Sequence, residues 1–229
     1  MDWLALARGP LFFLSLAIFV AGIAWRLVGI IRLGAKPSLA APRSTATATA
    51  TASAAARNVF ARMLPRPGFH PSATLATINP YVYHLGLAIV AFGYLPHIDF
   101  VKRLTGAWWP ALPDWLVFLA AGATIVSLAI ALLFRLTDPV LKLISRGDDY
   151  FTWIVTLLPL ITGMVVILEP SGAVHAREAV VYPGPLAIHL LSVELLLVWF
   201  PFGKLMHAIL FIPGRAQLGM FNERRGVRS

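Results

Sequence analysis

The stretch from Pro185 to Pro213, PLAIHLLSVELLLVWFPFGKLMHAILFIP, constrains the fold more than any other part of the chain. It is mostly apolar and longer than the ~20 residues an α-helix needs to cross a hydrocarbon core of ~30 Å, so it predicts a membrane helix over 185–212 whose last turn leaves the bilayer. Two histidines interrupt it. His189 and His207 stand eighteen residues apart. At ~100° and ~1.5 Å per residue this makes five turns and ~27 Å of rise, which points both imidazoles the same way, one near each membrane face. Ionisable side chains are costly in lipid and usually face the bundle interior, where they serve binding, proton relay or charge transfer. A hydrogen bond to a neighbouring helix would explain one such histidine more readily than two on one stripe.

Four further apolar runs accompany this one. Spans are expected over 10–31, 81–100, 114–135 and 150–169, which with 185–212 gives an all-α integral membrane protein of five transmembrane helices in a single domain. Composition agrees: 59% of residues are hydrophobic and 13% charged, against a soluble average of ~25% charged. Pro10 suits the first turn of the first helix, and Arg26 near its end can snorkel to the surface. The first run lacks a basic leader and a small-residue cleavage site, so it reads as a retained anchor. The net charge of +9 does not imply nucleic acid, because the basic residues flank apolar runs instead of alternating with aromatics along a groove. The chain has no cysteine. Thiolate-held iron–sulfur clusters, disulfides and thioether-attached haem are therefore excluded within it, and any redox centre must be held by histidine or methionine.

Residues 32–80 differ in character. Ser44 to Arg57 is a low-complexity Thr/Ala run, and prolines stand at 37, 42, 65, 67, 71 and 80. The segment reads as a flexible cytoplasmic loop, too poor in apolar surface to offset its ordering entropy. Together with the 135–149 connection and the basic tail 213–229 it carries 13 Lys and Arg, while the opposite side carries 4. The positive-inside rule then places the N-terminus outside and the C-terminus in the cytoplasm.

On that topology the second and fifth spans run antiparallel. His84 and His207 fall near the cytoplasmic face, His97 and His189 near the outer one. Two pairs at two depths are what two stacked bis-histidine b-type haems require. The thirteen residues between His84 and His97 give ~220° of rotation, so the second helix must be distorted, and Gly93 and Pro96 sit where they could do it.

The residues His189 and WFPFGKLMH ending at His207, together with YHLGLAIVAFG beginning around His84 and the loop bearing Arg135, Arg146 and Asp148, resemble the membrane cytochrome b (gamma) subunit of respiratory nitrate reductase. That family includes membrane subunits of heterodisulfide-reductase-like and sulfite-reductase-associated complexes. The resemblance covers most of the chain. It implies two haems b, exchange of electrons with a quinone or quinol near the outer haem, and cytoplasmic iron–sulfur and catalytic subunits in a bacterial inner-membrane complex. It also implies that His84, His189 and His207 are haem ligands. The family's second histidine on the second helix comes ten residues after the first, where this chain has Tyr94. His97 is the one histidine on that helix able to substitute, and the alternative is a single-haem protein with His97 as a polar contact.

Lys204, three residues before His207, is placed to pair with a haem propionate, and snorkelling explains it about as well. Lys102, Tyr94 and Glu194 are the candidates for a quinone site. Glu194 is the one acid deep inside a span, ~140° around the helix from His189, and an intramembrane carboxylate is a functional candidate by default. His70 and His175 fall in loops. The basic tail, with Arg215, Arg224, Arg225 and Arg228, is expected to meet lipid or to dock the soluble partner. The sequence thus points to an electron-carrying subunit of an oxidoreductase whose terminal chemistry lies in other polypeptides. The rival is a haemless scaffold or proton-conducting subunit.

Overall fold

The computed structural model describes residues 2–34, 45–61, 63, 74–168 and 183–227. Regular structure is helical throughout, with no strand among the described residues: α1 (Trp3–Arg8), α2 (Pro10–Leu33), α3 (Ala48–Ala61), α4 (Thr74–Gly93), α5 (Leu95–Thr105), α6 (Asp114–Thr137), α7 (Pro139–Ile144), α8 (Gly147–Leu168), α9 (Pro183–Trp199) and α10 (His207–Arg224). Four helical segments are long and apolar enough to cross a membrane. The count becomes five if the interrupted pair Gly184–Trp199 and Lys204–Arg224 forms one span. His70 and His175 lie outside the described residues.

The chain divides into two compact units, Met1–Ala17 with Pro71–Trp199, and Ile18–His70 with Phe200–Ser229. In the first, α4 packs along α6, α8 along α9, and α1 against α9. A Cβ on Gly86 of α4 would collide with Thr124 of α6, so glycine is what lets these two backbones approach. Lower on the same pair, Ser127 donates to the side-chain oxygen of Asn79 at 2.7 Å, and Asn79 returns its amide N–H to the Ser127 carbonyl at 2.9 Å. Both residues are buried, and reciprocal bonding removes the cost of unpaired polar atoms there.

The second apolar run does not form one kinked helix over 81–100. It begins seven residues earlier, at Thr74, and ends at Gly93. Tyr94 is extended (φ −83°, ψ 126°), and α5 starts afresh with Pro96 in its first turn. The cause is local. Pro96 has no N–H for the Phe92 carbonyl four residues before it. That carbonyl instead accepts from the Trp109 indole at 2.6 Å, and the Gly93 carbonyl accepts from Leu112 N–H at 2.9 Å.

The fifth run is interrupted as well. Helix α9 ends at Trp199, a single 3₁₀ turn covers Lys204–Met206, and α10 begins at His207. Pro201 cannot donate to the residue 197 carbonyl and its ring crowds it, and here the helix ends, whereas Pro80, Pro159 and Pro213 are accommodated inside α4, α8 and α10. The unbroken helix expected over 185–212 is therefore not formed, and the five-turn alignment of His189 with His207 goes with it.

In the second unit the α2 residues from Ile18 onward hold this interruption. Phe19 meets Phe200 edge to face at 5.1 Å, and the Arg26 Nε–H donates to the Pro201 carbonyl at 3.0 Å. Gly22 leaves room for the Pro201 ring, which a Cβ would meet at 2.6 Å. The Thr/Ala stretch read as flexible is in fact α3, packed along α10. Ala-rich sequence costs little to hold helical, and α10 supplies the partner face. Gly219 lies against the Ala54 carbonyl, the Asn58 amide donates to the Arg215 carbonyl at 2.6 Å, and Arg57 pairs with Glu223 at 3.7 Å. Pro213, expected to end the helix, lies inside α10.

Candidate functional site

His97 and His189 meet in the first unit. His97 stands in the first turn of α5, and the break at Tyr94 frees its side chain to turn back on α4. Its Nδ1–H donates to the Val90 carbonyl at 2.8 Å. A carbonyl only accepts, so the proton must be on Nδ1 and the lone pair on Nε2. His189, on α9, places Nδ1 3.1 Å from Thr162 Oγ1 of α8. Because the Thr162 hydroxyl donates to the Leu158 carbonyl at 2.8 Å, it can accept the His189 proton, which again leaves the lone pair on Nε2.

The two rings have centroids 6.2 Å apart and planes within 14° of parallel. An imidazole nitrogen bonds a metal at ~2 Å. Two imidazoles on opposite sides of one iron therefore put their centroids roughly 6 Å apart, once each ring's own radius is added. The centroid spacing thus matches that of two imidazoles sharing one iron, and the near-parallel rings are a stacked pair. No three His, Cys, Asp or Glu side chains converge among the described residues. A porphyrin supplies four of its iron's ligands itself and asks the protein for an axial pair.

The surroundings hold these rings in place. A Cβ on Gly163 would lie 3.1 Å from His189 Cε1, so the absence of a side chain on α8 makes room for the imidazole. Ser192 donates to the His189 carbonyl at 2.6 Å and stands 2.9 Å from Thr162 Oγ1. Tyr94, 7% exposed, packs edge-on to His97 at 5.3 Å and to Phe118 at 6.1 Å. Thr162, Gly163 and Ser192 were missed in the sequence reading. The signal available was a Thr-Gly step and a serine inside otherwise apolar spans, which periodicity alone does not assign to a histidine.

The other predicted residues lie on several elements of the two units. His84, on α4, donates Nδ1–H to the Pro80 carbonyl at 2.6 Å and lies 4.5 Å from the Tyr83 ring. His207 opens α10 and donates Nδ1–H to the Lys204 carbonyl at 2.8 Å. Both therefore carry the same tautomer as His97, but His84 belongs to the first unit and His207 to the second. Lys204 is exposed in the 3₁₀ turn of the second unit, and Lys102 is exposed near the end of α5. Glu194 is 6% exposed on α9, and its Oε1 has no hydrogen-bond partner among the described residues. Of the three quinone candidates, Tyr94 alone is seen to touch the histidine pair.

A protein of Nitratidesulfovibrio vulgaris (strain Hildenborough) is 26% identical over 224 residues, which span 94% of this chain and 92% of that protein. No family model matches the chain, and no solved structure matches it. The similarity to the Nitratidesulfovibrio protein therefore runs nearly end to end, across both units.

Proposed function

We propose that the chain is a membrane b-type cytochrome subunit that passes electrons between a quinone pool and partner subunits of an oxidoreductase complex. The observation that carries this reading is the His97–His189 pair, two imidazoles from different helices with ring centroids 6.2 Å apart. His97 and His189 would hold a haem b between them, and a haem held this way supplies reversible one-electron transfer. The chain's own residues do the rest. The Val90 carbonyl and Thr162 hydroxyl fix the tautomer and orientation of the two rings, as partners of a ligating histidine's other nitrogen characteristically do. Gly163 leaves the ring its space, and Tyr94 closes one edge of the site. The inner haem, with His84 and His207 as ligands, remains an expectation of the sequence, as does the role of Lys204 at a propionate.

A quinone substrate, cytoplasmic iron–sulfur and catalytic partners, an outside N-terminus and a bacterial inner membrane complete the proposal. They rest on the resemblance and on charge distribution. The rival reading, a proton-conducting or scaffold subunit without haem, draws on the buried, unpartnered Oε1 of Glu194.

The experiment that separates them is a reduced-minus-oxidised spectrum of the purified protein with haem stoichiometry from the pyridine haemochrome. A b-type α-band with at least one haem per chain supports the cytochrome. A flat spectrum from protein folded in haem-replete cells sinks it.

A further inference from the structure

Arg26 is the one strongly basic residue within the apolar body of α2, before Arg32 near the end of the helix. Sixteen residues separate it from Pro10, a rise of ~24 Å, so in a ~30 Å core it lies close to the far interface. Its side chain is oriented. The Nε–H is bound to the Pro201 carbonyl at 3.0 Å, and Gly22, one turn earlier, admits the Pro201 ring that presents that carbonyl. A guanidinium is planar and has five N–H donors. Fixing Nε therefore fixes the direction of the remaining four, and no carboxylate reaches them among the described residues.

The unit around it is electropositive. Its described residues include Arg26, Arg32, Arg57, Lys204, Arg215, Arg224 and Arg225 and a single acid, Glu223, which lies 3.7 Å from Arg57. Lys204 is exposed three residues beyond the carbonyl that orients Arg26. Trp25, 79% exposed, adjoins Arg26 in sequence, and Phe202, 60% exposed, stands two positions before Lys204. Aromatic rings beside cations characterise the depth of lipid headgroups. An arginine left without a counter-charge at a membrane span is costly, and the group abundant at that depth is phosphate, which the guanidinium fork binds bidentately.

We propose that Arg26, assisted by Lys204, forms a binding site for the phosphate of an anionic phospholipid, built on the Phe200–Gly203 interruption. The Arg26 fork does not depend on the haem assignment, whereas Lys204 is also the residue expected at a haem propionate. It gives the interruption a further role, since the Pro201 carbonyl that a continuous helix would have consumed now aims the arginine.

The full chain is reconstituted in a mixed phosphatidylcholine and phosphatidylglycerol bilayer and released for native mass spectrometry, with retained lipid counted per chain. Wild type should retain phosphatidylglycerol in preference to phosphatidylcholine. Arg26→Gln should reduce that retention about tenfold, a loss of ~1.4 kcal/mol, and Lys204→Ala should reduce it by less. Arg103→Gln, on α5 of the other unit, should match wild type. Arg26→Lys keeps the charge but not the fork, and should fall between wild type and Arg26→Gln. If Arg26→Gln does not fold, Arg26→Lys decides, and retention equal to wild type then overturns the site. Equal retention of the two lipids by wild type also overturns it. So does loss of haem with unchanged lipid in Arg26→Gln, which would make the ligand a haem carboxylate.

Discussion

The imidazoles of His97 and His189 come within 6.2 Å, centroid to centroid, with near-parallel planes, although ninety-two positions in the chain separate them. One is delivered by the helix break after Gly93 and the other by the packing of α9 on α8. Removing either should therefore have the same consequence. His97→Ala and His189→Ala are each expected to lower the haem-to-protein ratio by the same single haem, whereas Tyr94→Phe should leave it unchanged, since the phenol touches His97 only through its ring. Pyridine haemochrome assays on the three variants check this. Loss from one alanine variant alone would dissolve the pair.

Gly163 offers a gentler probe of the same site. A methyl group there would sit 3.1 Å from His189 Cε1, tighter than ordinary contact, and the ring or α8 must give way. Gly163→Ala should cost ~1–3 kcal/mol by overpacking and shift the low-temperature optical and EPR signature of the proposed haem. Gly122→Ala, inside α6 where a Cβ meets nothing within 4 Å, should leave the spectrum unchanged and raise stability by up to ~1 kcal/mol. Identical spectra for the two variants would show that Gly163 does not shape the His189 environment.

The apolar segments were legible from their length, because every backbone polar group in lipid must be bonded internally and only long helices satisfy that. Gly93 and Pro96 were legible too as a point of distortion. What they produced, an extended residue and a new helix, depends on Trp109 and Leu112 capping the released carbonyls, a tertiary event invisible to periodicity. Pro201 carried the same signal but was overridden by the apolar length around it. The Thr/Ala run misled because composition reports the absence of a core in the segment itself, whereas α3 borrows the face of α10. His97 was reached by elimination along one helix. Its alignment with His189 comes from the Tyr94 break, which alters the rotation a continuous helix would have imposed.

Orientation is open to direct test. The charge asymmetry, thirteen basic residues against four, is expected to place the C-terminus in the cytoplasm and the N-terminus outside. A reporter active only in the cytoplasm, fused after Ser229, should be active, and the same reporter fused before Met1 should be silent. The reverse pattern would put His97 and His189 on the cytoplasmic side and exchange the faces at which quinone and soluble partner are expected.

The interruption of the fifth run should behave as a coupled device of Gly22, Arg26 and Pro201. Gly22→Ala would place a Cβ 2.6 Å from the Pro201 ring, a contact that cannot be kept, so the variant should lose ~1–3 kcal/mol of stability as an overpacked site does. Pro201→Gly removes both ring atoms, Cβ and Cγ, that the new methyl would strike. The double variant should therefore be less damaged than the sum of the singles, with a coupling of ~0.5–3 kcal/mol, the range for residues in contact. Arg26→Lys loses the Nε–H bond to the Pro201 carbonyl, which Gly22→Ala would already displace, so the two effects should be less than additive. Thermal denaturation of the four proteins in one detergent measures the cycle. Strict additivity between Gly22→Ala and Pro201→Gly would mean that the contact of α2 with the Pro201 ring does not bear on the interruption.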